Sequence, residues 1–357
     1  MIIQNLLMNF SYYQGLRYFV IFIGLSGLFF LSFAQDTDQI EEELQEIESE
    51  EIIMDTLQYR NGAYYVGETY HRRPHGKGVY LKPDGDTIYA GFYRMGRKYG
   101  TGTYRFKNGN VYSGDWVEDR MEGKGSMMFA NGETYIGDWV ADQRHGEGTY
   151  TYGDGSFYEG TFLNGVREGR GTFTTDLKSY IGDWVNGVKN GEGYEVIMGA
   201  DYMQEYRGGF VNSRYHGHGF FRHEKDTIII EYIGNWRDGD RIGRGTYKIN
   251  GRTIEGTWEE NQTTGKGVSI TEEGTYEGEF KRGFYHGTGT FTYHNQEVYE
   301  GEWFRGKKQG IGKFTYKDGH TYEGEWHMGQ PHGEGVLTYP DGSSESATFQ
   351  NGERVEK

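Results

Sequence analysis

Residues 322–344 read YEGEWHMGQPHGEGVLTYPDGSS, and this stretch decides the fold. Tyr322, Gly324 and Trp326 stand two residues apart, and a second Gly-x-Gly follows at 333–335. Residues two apart lie on the same face of a β-strand, so each half of the stretch predicts one strand with rings and bare backbone on one side. Glycines that favour tight turns follow both halves. The stretch therefore predicts strand, turn, strand, turn.

The same pattern recurs twelve times along the chain. With the first aromatic residue as position 0, glycine stands at +2, +11 and +13 of every unit, and an aromatic residue stands at +4 in eleven of twelve. A large apolar or aromatic residue usually follows at +15, with Glu195 and Ser269 as exceptions. The units are numbered 1 to 12 by their position 0: Tyr65, Tyr89, Tyr112, Tyr135, Tyr158, Tyr180, Tyr206, Tyr232, Ile254, Tyr276, Tyr299 and Tyr322.

These units predict an all-β protein. A propeller blade needs four strands and about 40 residues, whereas this unit holds two strands in 22 to 26 residues. We therefore expect an elongated, single-layer antiparallel β-hairpin repeat array, a meander or open solenoid of about twelve two-stranded units. Rings can lie over the bare glycine backbone of neighbouring strands, and hairpins that are marginal alone become stable by stacking.

The array is expected to span residues 57–353, with residues 354–357 as a tail. Residues 57–64 match the second half of a unit and residues 345–353 match a degraded first half, as imperfect caps would. Units 6 and 7 carry extra residues near the second turn, which predicts local distortion there.

The N-terminus predicts export. Arg17 precedes an uncharged stretch with an apolar run of about 16 residues, and small residues at Ser32 and Ala34 are typical of signal-peptide cleavage. Residues 1–34 are therefore expected to be a signal peptide, with an uncleaved membrane anchor as the alternative. The expected location is the periplasm, cell envelope or exterior, or the membrane if the segment is not cleaved.

Residues 35–56 are predicted to be an acidic linker. Ten acidic and no basic side chains fall between residues 36 and 55, although Ile40, Leu44 and Ile47 have the spacing of a short helix. The whole chain has a net charge of −16, which predicts no attraction to nucleic acid. Because the chain has no cysteine, disulfides, thiolate metal sites and a cysteine nucleophile are excluded.

The unit Tyr322-Glu-Gly-Glu-Trp326, followed by His332-Gly-Glu-Gly335, resembles the MORN repeat, the membrane occupation and recognition nexus. The resemblance covers residues 57–353 and implies a curved β-hairpin sheet used for scaffolding, dimerisation or contact with membrane phospholipids. Some relatives join such repeats to a phosphatidylinositol phosphate kinase domain, and a kinase name could attach to this chain through its repeats alone. The sequence carries neither the kinase lysine and catalytic-loop set nor a P-loop, so we expect no enzyme, no cofactor and no small-molecule substrate.

Tryptophan marks the candidate binding residues. All seven tryptophans occupy position +4, and we interpret them mainly as packing residues that could also present a groove for a peptide or glycan. They are Trp116, Trp139, Trp184, Trp236, Trp258, Trp303 and Trp326.

Three other recurrent residue types could carry chemistry. Acidic residues at +3 predict a solvated polar face. Histidines at +10 predict turn residues and no metal site, because the units that carry them lie too far apart to share a metal. Basic pairs at the first turns, 72–73, 97–98, 281–282 and 307–308, could contact lipid headgroups.

The leading hypothesis is a non-enzymatic exported scaffold that binds a protein partner or forms a homodimer. The alternative is a module that binds membrane phospholipids.

Overall fold

The structure, a computed structural model, describes residues 52–355. These residues form one antiparallel sheet of 27 strands. Each strand pairs with the next along the chain, and the described residues show no pairing of the first strand with the last, so the sheet is open. The predicted all-β, single-layer array of hairpins is confirmed.

The strands are β1 Ile53–Gln58, β2 Tyr64–Tyr70, β3 Arg73–Leu81, β4 Thr87–Arg94, β5 Arg97–Arg105, β6 Val111–Val117, β7 Arg120–Met128, β8 Thr134–Val140, β9 Gln143–Thr151, β10 Phe157–Leu163, β11 Val166–Thr174, β12 Lys178–Val185, β13 Val188–Met198, β14 Tyr202–Val211, β15 Arg214–Lys225, β16 Ile228–Arg237, β17 Asp240–Ile249, β18 Arg252–Glu259, β19 Gln262–Ile270, β20 Gly274–Lys281, β21 Phe284–Tyr293, β22 Val298–Phe304, β23 Lys307–Thr315, β24 Thr321–His327, β25 Gln330–Thr338, β26 Ser344–Gln350 and β27 Glu353–Val355.

The strand register brings the glycines of positions +2 and +13 into one row. Gly137, for example, pairs with Gly125 on one side and with Gly148 on the other. Repeated through all twelve units, this pairing forms what we call the glycine line, which crosses the strands at right angles. Asp55 of β1 and Ala347 of β26 take the corresponding places beyond its two ends.

The first turn of each unit ties neighbouring units together. In unit 5, Leu163 pairs with Val166, and the two residues between them have positive φ, 50° at Asn164 and 84° at Gly165. Such two-residue turns match the twist of a hairpin. The N–H of Gly165 also donates to the carbonyl of Arg144 in unit 4 at 2.8 Å, so the turn belongs to the contact between units.

The two glycines of the Gly-x-Gly pair have different physical roles. Every +11 glycine has positive φ, between 55° and 107°. A β-bulge shifts the register beside this residue, and a side chain there would be strained whatever space it had. The expectation that +11 and +13 both leave room for rings is therefore correct only for +13.

The longer units do not distort the array. The extra residues of units 6 and 7 extend β13 to β16, which have 10 to 12 residues each, and the pairing continues to Tyr202 opposite Lys225. The expected local distortion is wrong, because the insertion adds residues to both partners of each pair. At the N-terminal end, β1 begins at Ile53, upstream of the array boundary predicted at residue 57.

Residues 1–34 and most of the predicted acidic linker lie outside the described residues, so their interpretation stays a prediction. Within residues 52–355, no helix has the length and apolar character needed to cross a membrane.

Candidate functional site: the two faces of the sheet

One face of the sheet, here called the ring face, carries positions 0, +2, +4, +13 and +15. The eleven position-0 tyrosines are 0 to 1% exposed. Each hydroxyl donates to the carbonyl at +3 of its own unit, at 2.6 to 3.3 Å. A Cβ on Gly78 would lie 2.1 Å from the Tyr65 hydroxyl oxygen, so the tyrosine occupies the space that the glycine leaves.

The tryptophans are part of this packing. All seven are 2 to 6% exposed. Each indole N–H donates to the carbonyl of the +13 glycine in the preceding unit, at 3.0 to 3.4 Å. Six of the rings also meet the tyrosines of their own and the preceding unit edge to face, as Trp139 does with Tyr135 and Tyr112 at 5.2 Å, while Trp258 meets only Tyr232 of the preceding unit in this way because its own unit has Ile254. The rings are therefore largely covered, and the hypothesis that they also present a groove to a ligand stays a prediction.

Position +9, which we call the lid position, was missed by the sequence analysis. Its side chain lies over the rings of its own unit and of the next one. Lys98 Nζ lies 4.4 Å from the centre of the Trp116 ring, and Arg167 Cζ lies 4.2 Å from that of Trp184. Such cation–π contacts, together with the apolar stems, cover the rings of a sheet that has no second layer. Six units have a cation at this position: Lys98, Arg144, Arg167, Lys189, Arg241 and Lys308.

Lys308 is the most strongly perturbed lid. Its Nζ lies 4.4 Å from the ring centre of Phe314 and 4.8 Å from that of Trp326, with two tyrosine rings within 5.3 Å. Burial among these rings lowers the pKa of Lys308 to about 8, because the charged form loses hydration. Burial of Lys308 among the rings therefore contributes to packing but makes the charged form of its side chain less favourable.

Glu195, an exception to the aromatic rule at +15, lies in a buried polar cluster. It is 5% exposed and accepts hydrogen bonds from Lys189, from Lys178 at 2.9 Å and from the Tyr215 hydroxyl at 3.2 Å. Burial opposes its ionisation, but the two lysines hold the pKa of Glu195 below its usual value. The cluster links units 6 and 7. Its ion pairs and hydrogen bonds satisfy the charged Glu195, which stands where most other units have a ring.

The opposite face, here called the open face, carries positions +1, +3, +12 and +14. Its +3 carboxylates support the bulges: Asp138 accepts the backbone N–H of Glu147 at 3.0 Å, and Asp115 accepts that of Lys124 at 2.9 Å. Units 1, 6 and 11 repeat this bond. The acidic residues therefore lie on the polar face as expected, and they also satisfy backbone donors beside the +11 glycines.

A shallow groove runs over the open side of the glycine line. Around units 3 to 5 it has a volume of about 540 Å³ and a floor of bare glycine backbone. Ile136 and Thr149 belong to one wall, and Lys124 and Glu147 belong to the other. Among the side chains that line the groove, Ile136 is 63% exposed, while Lys124 pairs with Asp138 at 2.5 Å.

The +1 wall of this groove changes character along the array. In its first part it includes the exposed residues Ile136, Ile181 and Ile233, which are 63, 49 and 47% exposed. From unit 9 onward every +1 residue is an acid: Glu255, Glu277, Glu300 and Glu323. In units 4 to 8 the +1 wall therefore alternates isoleucine with the charged residues Glu159 and Arg207, and from unit 9 onward it is acidic.

The basic pairs at the first turns do not form one cationic surface. Lys98 and Lys308 point onto the ring face as lids, and Arg97 pairs with Glu118 at 3.1 Å. In the part of the chain that the structure describes, no group of three or more His, Asp or Glu side chains is placed to hold a metal.

An open sheet of stacked hairpins, with one packed face and one free face, defines the class of β-hairpin repeat arrays. The MORN-repeat family model matches residues 73–87, 89–111, 112–134, 135–157, 158–175, 180–196, 206–225, 232–251, 255–275, 276–298, 299–321 and 322–344. The chain belongs to the MORN-repeat family, whose repeats are generally non-catalytic modules for interaction with proteins or membranes.

No curated protein matches the chain. Among solved structures, that of a streptogramin B lyase aligns over 83% of both chains at 11% identity and a TM-score of 0.13, which is too low to carry any argument.

Proposed function

We propose that this protein is a non-enzymatic, exported scaffold whose open face holds a protein partner. The proposal of export rests on the signal-like residues 1–34. The proposal of a scaffold without activity rests on the family and on the use of the perturbed side chains: the buried tyrosines and the cationic lids are engaged in packing.

The observation that carries the proposal is the recurrence of an exposed isoleucine at position +1 of units 4, 6 and 8 on the open face, with Glu159 and Arg207 between them. Ile136 and Ile181 stand on one wall of the groove, while the carboxylates of Asp138 and Asp183 stand across the glycine line from them. We interpret these exposed apolar side chains, which share one uncovered face of the sheet, as part of an interaction surface. The complementary partner has apolar side chains that meet Ile136 and Ile181, and polar groups that meet the opposite wall, where Asp138 pairs with Lys124 at 2.5 Å and Asp183 with Arg170 at 3.9 Å.

The test compares two double variants. Ile136→Glu with Ile181→Glu places charge on the proposed surface, and Val140→Glu with Val185→Glu places the same charge at first turns, where the valines are 44 and 38% exposed. A partner captured from the envelope fraction by the full chain is then purified and its affinity measured for each protein. We expect at least a tenfold loss for the isoleucine variant alone. Equal affinity for both variants would contradict the proposal.

Sedimentation with anionic phospholipid vesicles separates this function from lipid binding. The proposal predicts no salt-sensitive binding by the exported chain, because two of the turn lysines are lids and Arg97 is paired. If the chain does bind the vesicles, and if Arg72→Glu with Arg73→Glu abolishes that binding, the ligand is a membrane surface and not a protein partner.

A further inference from the structure

The sheet ends in two unlike edges. The C-terminal edge strand β27 has three residues, and its Arg354 makes two hydrogen bonds to the carboxylate of Glu345, at 2.8 and 2.9 Å. The N-terminal edge strand β1 has six residues, and its Ile53 and Met54 are 59 and 71% exposed. Proteins protect edges with short strands and charges. The β27 edge has both protections, whereas β1 is twice as long and begins with two exposed apolar residues.

The outward hydrogen-bonding groups of β1 follow from its pairing with β2. Tyr59 donates its N–H to the carbonyl of Ala63 at 2.9 Å, which fixes the phase of the ladder. Backbone groups of an antiparallel strand point alternately to one neighbour and to the other. The N–H and C=O groups of Met54, Thr56 and Gln58 therefore point away from β2, and no strand within residues 52–355 pairs with them. The N–H of Thr56 donates to the carboxylate of Asp55 at 2.7 Å, a local bond that pairing with another strand would replace.

We propose that β1 is a docking edge for β1 of a second copy of this chain, paired antiparallel about a two-fold axis at Thr56. This inference rests on the self-association expected of a scaffold and names where the copies meet. With Thr56 opposite Thr56, Met54 faces Gln58, so all three outward residues can exchange hydrogen bonds. Directly opposite residues share a face of a sheet, so the two ring faces continue on one side.

Charge selects both the register and the direction of this pairing. A shift of the axis to Asp55 would place two carboxylates opposite each other, which is destabilising, whereas the Thr56 axis places Asp55 opposite Leu57. Nine acidic residues precede the strand between positions 36 and 51. Antiparallel pairing separates the two copies of Ile53 by about 20 Å, well beyond the screening length of about 8 Å, so the points where the two acidic segments join the sheet are kept apart.

Single cysteines test the register directly, because the chain has no cysteine of its own. In the exported full chain, Thr56→Cys places two thiols opposite each other at the axis, about 5.5 Å apart between Cα atoms. Met54→Cys, equally exposed on the same face, places them about 14 Å apart. We expect mild oxidation to link most of the Thr56→Cys chain as a dimer and little of the Met54→Cys chain. Equal linking of both, or of neither, would overturn the proposal.

Light scattering of the uncrosslinked chain gives the second readout. Thr56→Pro removes the outward N–H and is tolerated at an edge strand, so it should convert dimers to monomers, while Thr56→Val keeps the N–H and the dimer. A monomeric unmodified chain, or a dimer that survives Thr56→Pro, would refute edge pairing. The Ile136→Glu with Ile181→Glu variant should still dimerise, so failure of the open-face proposal can be distinguished from failure of this one.

Discussion

Unit 9 differs from the other eleven units in its packing and in the space beside its +2 glycine, but it keeps their strand pairing and turn geometry. Ile254 replaces the tyrosine, Thr263 occupies the lid position and Ser269 replaces the apolar residue at +15. Nevertheless, Gly256 pairs with Gly267 as in every unit, and Gly265 keeps a positive φ of 65°. The comparison shows that turn and bulge geometry is set locally by glycine, while the ring that covers the glycine line is a separate contribution to stability.

The largest predicted effect is that of a methyl group on the glycine line under a ring. In Gly137→Ala, the new Cβ would lie 2.5 Å from Gly148 Cα, the Glu147 carbonyl oxygen and the Tyr135 hydroxyl. We expect a loss of about 3 kcal/mol or more in the free energy of unfolding, measured by urea denaturation.

Gly256→Ala in unit 9 is the matched control for this change. Its Cβ would meet only the flexible Thr263 Cγ2 at 3.0 Å, with backbone atoms at 3.6 Å or beyond. A loss below about 1 kcal/mol is expected. If both alanine variants lose the same free energy of unfolding, the tyrosine ring is not what makes an added Cβ unfavourable on the glycine line.

The second effect comes from removing a ring. Tyr299→Ile gives unit 11 the side chain of unit 9, and it removes edge-to-face contacts at 5.2 and 5.0 Å and the hydroxyl bond to the Glu302 carbonyl. We expect a loss of about 3 kcal/mol, against about 1 kcal/mol for Ile254→Val. Thermal unfolding measures both, and a smaller loss for the tyrosine variant would count against ring packing.

A smaller effect is expected at the bulge. Asp138→Ala leaves the N–H of Glu147 without its carboxylate acceptor, so we expect a loss of about 1 to 2 kcal/mol. In unit 9 the same position is Thr257, and Thr257→Ala should change the free energy of unfolding by less than about 0.5 kcal/mol. Equal effects in urea titrations would show that the carboxylate does not support the bulge.

The last predicted effect is the pH dependence of a lid. Because the folded-state pKa of Lys308 is about 8 and its ordinary value is 10.5, the unfolded chain binds more protons between these pH values. The contribution of Lys308 to stability therefore rises with pH across this window and is lowest below it. The stability of Lys308→Met relative to the unmodified chain should fall as pH rises from 8 to 10.5. Thr263→Val in unit 9 serves as the control, and the same slope there would contradict the assignment.

Much of the fold was predictable because the decisive residues recur at constant spacing. Glycine and tyrosine at a period of two predict strand and face, and twelve repetitions exclude chance. The two roles of glycine in the Gly-x-Gly pair were not predictable from composition, because positive φ and lack of space select the same residue.

The lids were missed because lysine and arginine near a turn suggest exposure to solvent. A signal was nevertheless available: with a two-residue turn at +6 and +7, position +9 pairs with +4, as Arg144 does with Trp139, and so belongs to the ring face. The sequence predicted that the tryptophans are mainly packing residues. Their burial also depends on the lids, and the spacing of residues in a sequence does not show which side chain covers another.

Hydrogen–deuterium exchange across the whole array, followed by mass spectrometry, tests most directly whether rings over the glycine line stabilise each hairpin. The account predicts slow exchange in the hairpins of units with a tyrosine at position 0. It predicts clearly faster exchange in β18 and β19, where this tyrosine ring is absent although the hydrogen-bond ladder is complete. Equal or greater protection of β18 and β19 would contradict it.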